Sequence, residues 1–171
     1  MGAGSRSCAV ASFTWSHGLQ ALLALGTNGD EPVAYRANED GGQWLQEILP
    51  SLSQGQVALQ TVHVVSPGLA YAAGDQGVFL ERAGGVWSTK SPYPIFEGGG
   101  VAPALLDVVS FGQGAVFARL DTDDLIRFAG TAWQDLLFGT QGFTTLEALS
   151  SDELWSAARD GTRLYRGPCA P

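Results

Sequence analysis

Four times along this chain a short apolar run ends in a serine and is followed by a second apolar run, which begins four or five residues later in three of the units and ten residues later in the first. No other feature limits the possible folds so strongly. The first runs are Cys8-Ala9-Val10-Ala11-Ser12, Val62-His63-Val64-Val65-Ser66, Leu106-Asp107-Val108-Val109-Ser110 and Leu146-Glu147-Ala148-Leu149-Ser150. The second runs are Leu22 to Gly26, Ala70 to Gly74, Ala115 to Ala118 and Leu154 to Ala158. A third stretch closes on an arginine in every unit, at Arg36, Arg82, Arg127 and Arg166, which lie 24, 16, 17 and 16 residues beyond the serines. Three units then present a tryptophan, Trp44, Trp87 and Trp133, spaced by 43 and 46 residues. We name the four stretches strands a, b, c and d.

Units of about 40–45 residues with four short strands, none able to bury its own faces, are the pattern of β-propeller blades, whose core comes from stacking neighbours. The sequence therefore predicts an all-β fold, a β-propeller built from about four repeats of four-stranded antiparallel blades. The expected blades span approximately residues 8–53, 58–92, 104–139 and 144–171 of one domain or part-propeller, the last incomplete for want of a strand d. The strand-d indoles are expected to be buried between adjacent sheets, because each is the principal large residue of a short strand.

Composition agrees. Forty-five per cent of the 171 residues are hydrophobic, enough for a core without metals or disulfides, and the 23 glycines suit short strands joined by tight turns. A formal charge of −8 repels nucleic acid and anionic membrane surfaces, so neither is an expected partner. No stretch of eighteen apolar residues occurs, and Met1 to Ser7 lacks the regions of a signal peptide, which leaves the compartment open.

At Tyr35-Arg36-Ala37-Asn38-Glu39-Asp40-Gly41-Gly42-Gln43-Trp44 the first repeat resembles the Asp-box, or BNR, repeat of sialidase-type and photosystem-assembly-factor-like propellers, in which an Asp-Gly-Gly turn precedes the tryptophan. The second and third repeats keep only Gly84-Gly85 and Gly130 of that motif. The resemblance implies the propeller fold and no particular activity, because such repeats serve enzymes, receptors and assembly factors alike.

In an up-and-down blade the d-to-a and b-to-c connections share one face of the disc. The position three before each strand-a serine reads Ala9, His63, Asp107 and Glu147, and the b-to-c turns add Asp30, Glu31, Asp75, Asp121, Asp123, Asp124 and Asp160. One face is thus expected to be acidic, with His63, Asp107, Glu147, Asp75, Asp121 and Asp160 at the channel mouth as candidate ligand-binding residues. These groups either hold a ligand or simply bond water and nearby backbone. Asp121-Thr122-Asp123-Asp124 has carboxylates suited to calcium but lacks the glycine and terminal glutamate of an EF-hand loop, and reads as a solvated turn.

The four arginines belong to the opposite face, spread around the disc, and are expected to pair with local carboxylates. A sialidase needs a converging arginine cluster and a tyrosine with a carboxylate partner, and a serine hydrolase needs a nucleophile elbow; neither is visible. No catalytic residue, metal or cofactor is expected. The function indicated is a non-catalytic binding or scaffolding propeller that engages a protein, peptide or glycan through one disc face or the channel mouth. The alternative is a glycoside hydrolase or lyase, which would need two carboxyl groups about 5–9 Å apart with one pKa raised.

Cys8 and Cys169 are expected on opposite faces, about 17–20 Å apart, too far for a disulfide. The edge at Leu164 to Gly167 needs a cover. Either residues 1–7 close a four-bladed ring, or two chains combine as a homodimer completing a larger ring of about eight blades.

Overall fold

The computed structural model describes residues 9–14, 20–28, 31–37, 42–52, 57–90, 101–113, 115–137, 144–150, 153–158 and 161–165. They form fifteen strands in four antiparallel sheets, each in simple chain order. Blade 1 holds β1 (Ala9–Thr14), β2 (Gln20–Asn28), β3 (Glu31–Ala37) and β4 (Trp44–Glu47). Blade 2 holds β5 (Leu59–Ser66), β6 (Leu69–Gly74), β7 (Phe79–Ala83) and β8 (Val86–Thr89). Blade 3 holds β9 (Leu105–Ser110), β10 (Val116–Leu120), β11 (Leu125–Phe128) and β12 (Trp133–Leu137). Blade 4 shows three strands, β13 (Glu147–Ser150), β14 (Glu153–Ala158) and β15 (Gly161–Tyr165). The architecture is that of a β-propeller. Among the described residues no helix is long and apolar enough to cross a membrane.

Local chemistry makes the meanders. Gly84 and Gly85 both take positive φ, 57° and 89°, so the β7–β8 connection is the two-residue turn that matches strand twist and that glycine adopts without penalty. Gly74 ends β6 where a Cβ would run into the Ala58 carbonyl oxygen, and this close approach lets Asp75 N donate to that same oxygen at 3.0 Å.

The core lies between sheets. Leu23, Leu25 and Ala34 of blade 1 pack on Val62, Val64, Ala72, Leu80 and Trp87 of blade 2. Tyr71 and Phe79 of blade 2 pack on Val108, Ala118, Ile126 and Phe128 of blade 3, with Trp133 against them. Phe117 and Leu125 of blade 3 meet Leu146 and Leu154 of blade 4. Because blades 2 and 3 are covered on both sides, β6 and β10 lose the alternation of a half-exposed strand and read as near-continuous apolar runs.

Register corrects the alignment drawn from the serine-to-arginine spacing. Across blade 2 runs the rung Val64–Ala70–Arg82–Trp87, and across blade 3 the rung Ser110–Val116–Phe128–Trp133. In blade 1 Trp44 stands opposite Ala37. Measured from the tryptophans, Arg82 therefore matches Ala37 and Phe128, while Arg36 and Arg127 match Glu81. A one-residue slip moves a side chain to the other face of its sheet. Arg82 accordingly points to the preceding blade, whereas Arg36 points to the following one. Along strand a, His63 stands opposite Tyr71 as Val109 stands opposite Phe117, so His63 matches Val109 and not Asp107.

The tryptophans also differ. Trp87 is 4% exposed and Trp133 partly buried, but Trp44 is 47% exposed, contrary to the expectation that all strand-d indoles are covered. Arg166, Asp160, Cys8, Cys169, residues 1–7 and the Asp-Gly pair at 40–41 of the Asp-box-like motif lie outside the described residues.

Removing the Trp87 indole leaves a cavity between blades 1 and 2. Trp87→Ala should lower the unfolding free energy by about 3–5 kcal/mol in urea titrations, and Trp133→Ala, less buried, by a smaller amount. Equal losses at the two sites would contradict this difference in packing.

Candidate functional site

The densest polar constellation is one the sequence did not announce. Glu47, at the end of β4, faces blade 2 and accepts four contacts. Arg82 Nε donates to Oε2 at 2.8 Å and Arg82 Nη2 to Oε1 at 2.7 Å, a two-pronged pair. Trp87 Nε1 donates to Oε2 at 2.7 Å, and Arg36 Nε lies 3.2 Å from Oε1. A further Arg82 nitrogen, Nη1, donates to the Pro67 carbonyl at 3.1 Å. Burial alone would push the Glu47 carboxyl up, but bonds from Arg82 and Trp87, with the charges of Arg82 and Arg36, hold it below the usual carboxylate range. The same strand-c to strand-d pairing recurs in blade 2 with the signs exchanged: Lys90 Nζ lies 2.8 Å from Glu81 Oε1. Glu81 in turn raises the Tyr71 hydroxyl pKa further, beyond the effect of burial.

Of the six expected channel-mouth residues, Asp107, Asp75 and His63 make contacts within the fold. Asp107 accepts from Arg119 Nε at 2.8 Å across the β9–β10 pair. Asp75 accepts from the Ala58 amide at 3.2 Å and from Gln60 Nε2 at 3.0 Å, tying the start of strand a to the b-to-c turn. His63 Nε2 lies 3.0 Å from the Ser110 carbonyl on the next blade, and because a carbonyl only accepts, Nε2 carries the proton. Burial depresses the His63 pKa, against the opposing pull of that carbonyl and of Glu147. Glu147 and Asp121 are exposed. Thr122 Oγ1 donates to Asp124 Oδ2 at 2.8 Å inside the acidic turn. Among the described residues no group of three His, Cys, Asp or Glu is placed to hold a metal ion.

A concavity of about 670 Å³ opens beside the end of β4. It is lined by Glu31 and Pro32 at the start of β3 and by the chain from Gln46 to Leu52. Ile48 stands at its lip, 91% exposed. Glu47 belongs to this wall while its carboxylate oxygens bond the arginines. The Ile48-Leu49-Pro50 run after a tryptophan strand was the signal available in the sequence. It marks apolar residues in a connection, where water-facing groups are the rule. Nothing in the spacing revealed Glu47, whose partners come from another blade.

No family model matches the chain, and no curated protein matches it. Among solved structures it is similar to YCF48 from Cyanidioschyzon merolae, with 14% sequence identity and a TM-score of 0.59 over 88% of this chain and 49% of that one. The likeness is one of fold. The chain spans about half the length of that protein. A second solved structure, YCF48 bound to D1 peptide, aligns with 14% identity and a TM-score of 0.37 over 87% of this chain and 61% of that one.

Glu47→Gln strands the Arg82 charge in the blade interface and should cost about 3–5 kcal/mol near neutral pH. A carboxylate whose pKa falls on folding contributes stability that is complete above its unfolded-state pKa and is lost as pH falls through the folded-state value. The gap between wild type and Glu47→Gln should thus be constant at neutral pH and close in acid, which urea melts at stepped pH will read. His63 has the same sense of dependence: its folded-state pKa is lowered, so the folded protein loses stability as pH falls through the ordinary histidine range. His63→Gln should flatten the stability profile between about pH 7 and 5; an unchanged slope would locate the titration elsewhere.

Proposed function

We propose that the protein is a non-catalytic binding propeller which takes an extended protein or peptide segment in the groove between Glu31-Pro32 and Gln46 to Leu52. The observation that carries this is the groove itself, with an almost fully exposed isoleucine at its lip and Pro32, Leu49, Pro50 and Leu52 along its walls. Aliphatic walls suit an apolar side chain better than a sugar, which calls for aromatic platforms and many donors. The d-to-a and b-to-c connections place Glu31, Asp121 and the exposed Val101 on the same face. With Glu47 already saturated, Glu31 is the acid left to select a charge, and the net charge of −8 favours a cationic segment. Binding is favoured over glycoside hydrolysis or lysis because Asp75 and Asp107, two of the carboxylates expected at the channel mouth, are engaged by donors of the chain itself.

Fluorescence anisotropy with a labelled nonapeptide of alternating lysine and leucine, at physiological ionic strength, tests this. Binding should exceed that of an alternating glutamate–leucine peptide. It should weaken about tenfold or more in Ile48→Asp, the loss expected for one apolar side chain worth about 1.5–3 kcal/mol. Equal affinity of wild type and Ile48→Asp would exclude the groove.

A further inference from the structure

The b-to-c turns of blades 2 and 3 are tied down alike. In blade 2 the Asp75 amide donates to the Ala58 carbonyl at 3.0 Å, and in blade 3 the Asp121 amide donates to the Ala104 carbonyl at 2.9 Å. Ala58 and Ala104 each stand just before strand a, and Leu59 faces Gly74 as Leu105 faces Leu120, so Asp75 and Asp121 hold the same place. Their side chains differ. Asp75 accepts from Gln60 and from the Ala58 amide, which occupies its carboxylate inside the chain. The residue of blade 3 that matches Gln60 is Leu106, which has no side-chain donor, and Asp121 is exposed. On the connection that leads to Ala104 stands Val101, 78% exposed. Ala102 and Pro103 after it are buried, so the valine is fixed to the face of the disc. An exposed aliphatic side chain with an exposed acid repeats the pairing at the groove, where Ile48 is 91% exposed and Glu31 lies across from it. One pair flanks the connection into blade 2 and the other the connection into blade 3.

We infer that Val101 and Asp121 form a second subsite for the segment bound in the groove, an extended cationic stretch that crosses blade 2 from Ile48 to Val101; this rests on the groove being the binding site. Packed sheets lie about 10 Å apart, which puts the groove of blade 1 and the subsite of blade 3 about 20 Å from one another. Roughly six residues of extended chain cover that distance. Charge selects the occupant. Glu31 and Asp121 present acids at the two ends, the Asp75 carboxylate between them is already bonded, and the chain carries a net charge of −8. Apolar side chains of the segment rest on Ile48 and Val101, while lysine or arginine stems reach along the face to place their charges by the acids.

Fluorescence anisotropy with two labelled peptides of alternating lysine and leucine tests the inference. One is the nonapeptide, and the other a pentapeptide whose extended length of about 16 Å is too short to reach both pairs. Wild type should bind the nonapeptide about tenfold or more tightly than the pentapeptide, and Val101→Asp should bring the nonapeptide down to about the pentapeptide's affinity. Because that substitution adds a negative charge, weaker binding of a cationic peptide reports a lost apolar contact. Asp121→Asn should weaken the nonapeptide about threefold and lessen its salt dependence. Both side chains are exposed, so circular dichroism and urea midpoints should match wild type. Nonapeptide binding that weakens in Ile48→Asp but not in Val101→Asp would overturn the second subsite and leave the groove standing. A loss of the same size with both peptides in Val101→Asp would overturn it too. Binding indifferent to Ile48→Asp, or no binding of either peptide to wild type, would remove the groove and the subsite together.

Discussion

Contact between neighbouring sheets is what the rest of this structure depends on. A four-stranded sheet of five-residue strands has two apolar faces and little else, and a lone hairpin of this size is marginal in water. The chain answers by giving β6 and β10 small or slender residues that two neighbours can approach at once, Ala70, Ala72 and Ala73 in one and Val116 and Ala118 in the other, all fully buried. Large residues are then confined to one side at a time. Tyr71 and Phe79 stack with centroids 5.5 Å apart, and Phe79 meets the edges of Phe128 at 5.2 Å and Trp133 at 4.9 Å, so the second interface is closed by aromatics.

The first interface solves the same problem with charge. Where blade 3 offers Phe128 beside its tryptophan, blade 2 offers Arg82, and a guanidinium placed between sheets is tolerable only with a carboxylate to meet it. Glu47 does so with both oxygens, and accepts a hydrogen bond from the Trp87 indole N–H as well. Such an arrangement is no more stabilising than an apolar one of similar volume, but it is far more demanding geometrically, because the two-pronged bond fixes β4 against β7 and β8 in one register. The exchange of signs between Arg36–Glu47 and Glu81–Lys90 keeps this register from being reproduced at the next boundary, where Glu81 presents an acid in place of Arg36.

Strand existence and order were legible in the sequence, since short apolar runs at a repeated spacing leave few other folds, and the paired glycines at 84–85 gave away their turn. The side on which a residue sits was not. Counting from Ser66 to Arg82 and from Ser110 to Arg127 gives distances that differ by one, and that single residue separates a side chain facing the previous blade from one facing the next. The same arithmetic grouped His63 with Asp107, although a register shift between Val64 and Ser66 places His63 elsewhere in the rung pattern. Spacing also treats every acid as free, whereas Asp75 in its turn and Asp107 in its strand are bound by groups whose proximity is created by folding. Glu47 escaped notice for the complementary reason: an acid at a strand end looks ordinary until the neighbouring blade brings Arg82 to it.

Glu47 also joins stability to the groove. Glu47 lines the wall beside Ile48 and its carboxylate also holds blade 2, so the position of the wall is tied to the blade interface and not to the connection alone. On the proposed function, a segment seated in the groove would bind the folded arrangement of both blades and stabilise it in proportion to occupancy. Leu49 and Leu52 pack against the same core between blades 1 and 2, so the groove wall is anchored by apolar contacts as well as by the Arg82 pair. The ionised state of one buried carboxylate thus governs two properties at once, the cohesion of blades 1 and 2 and the shape of the surface next to them.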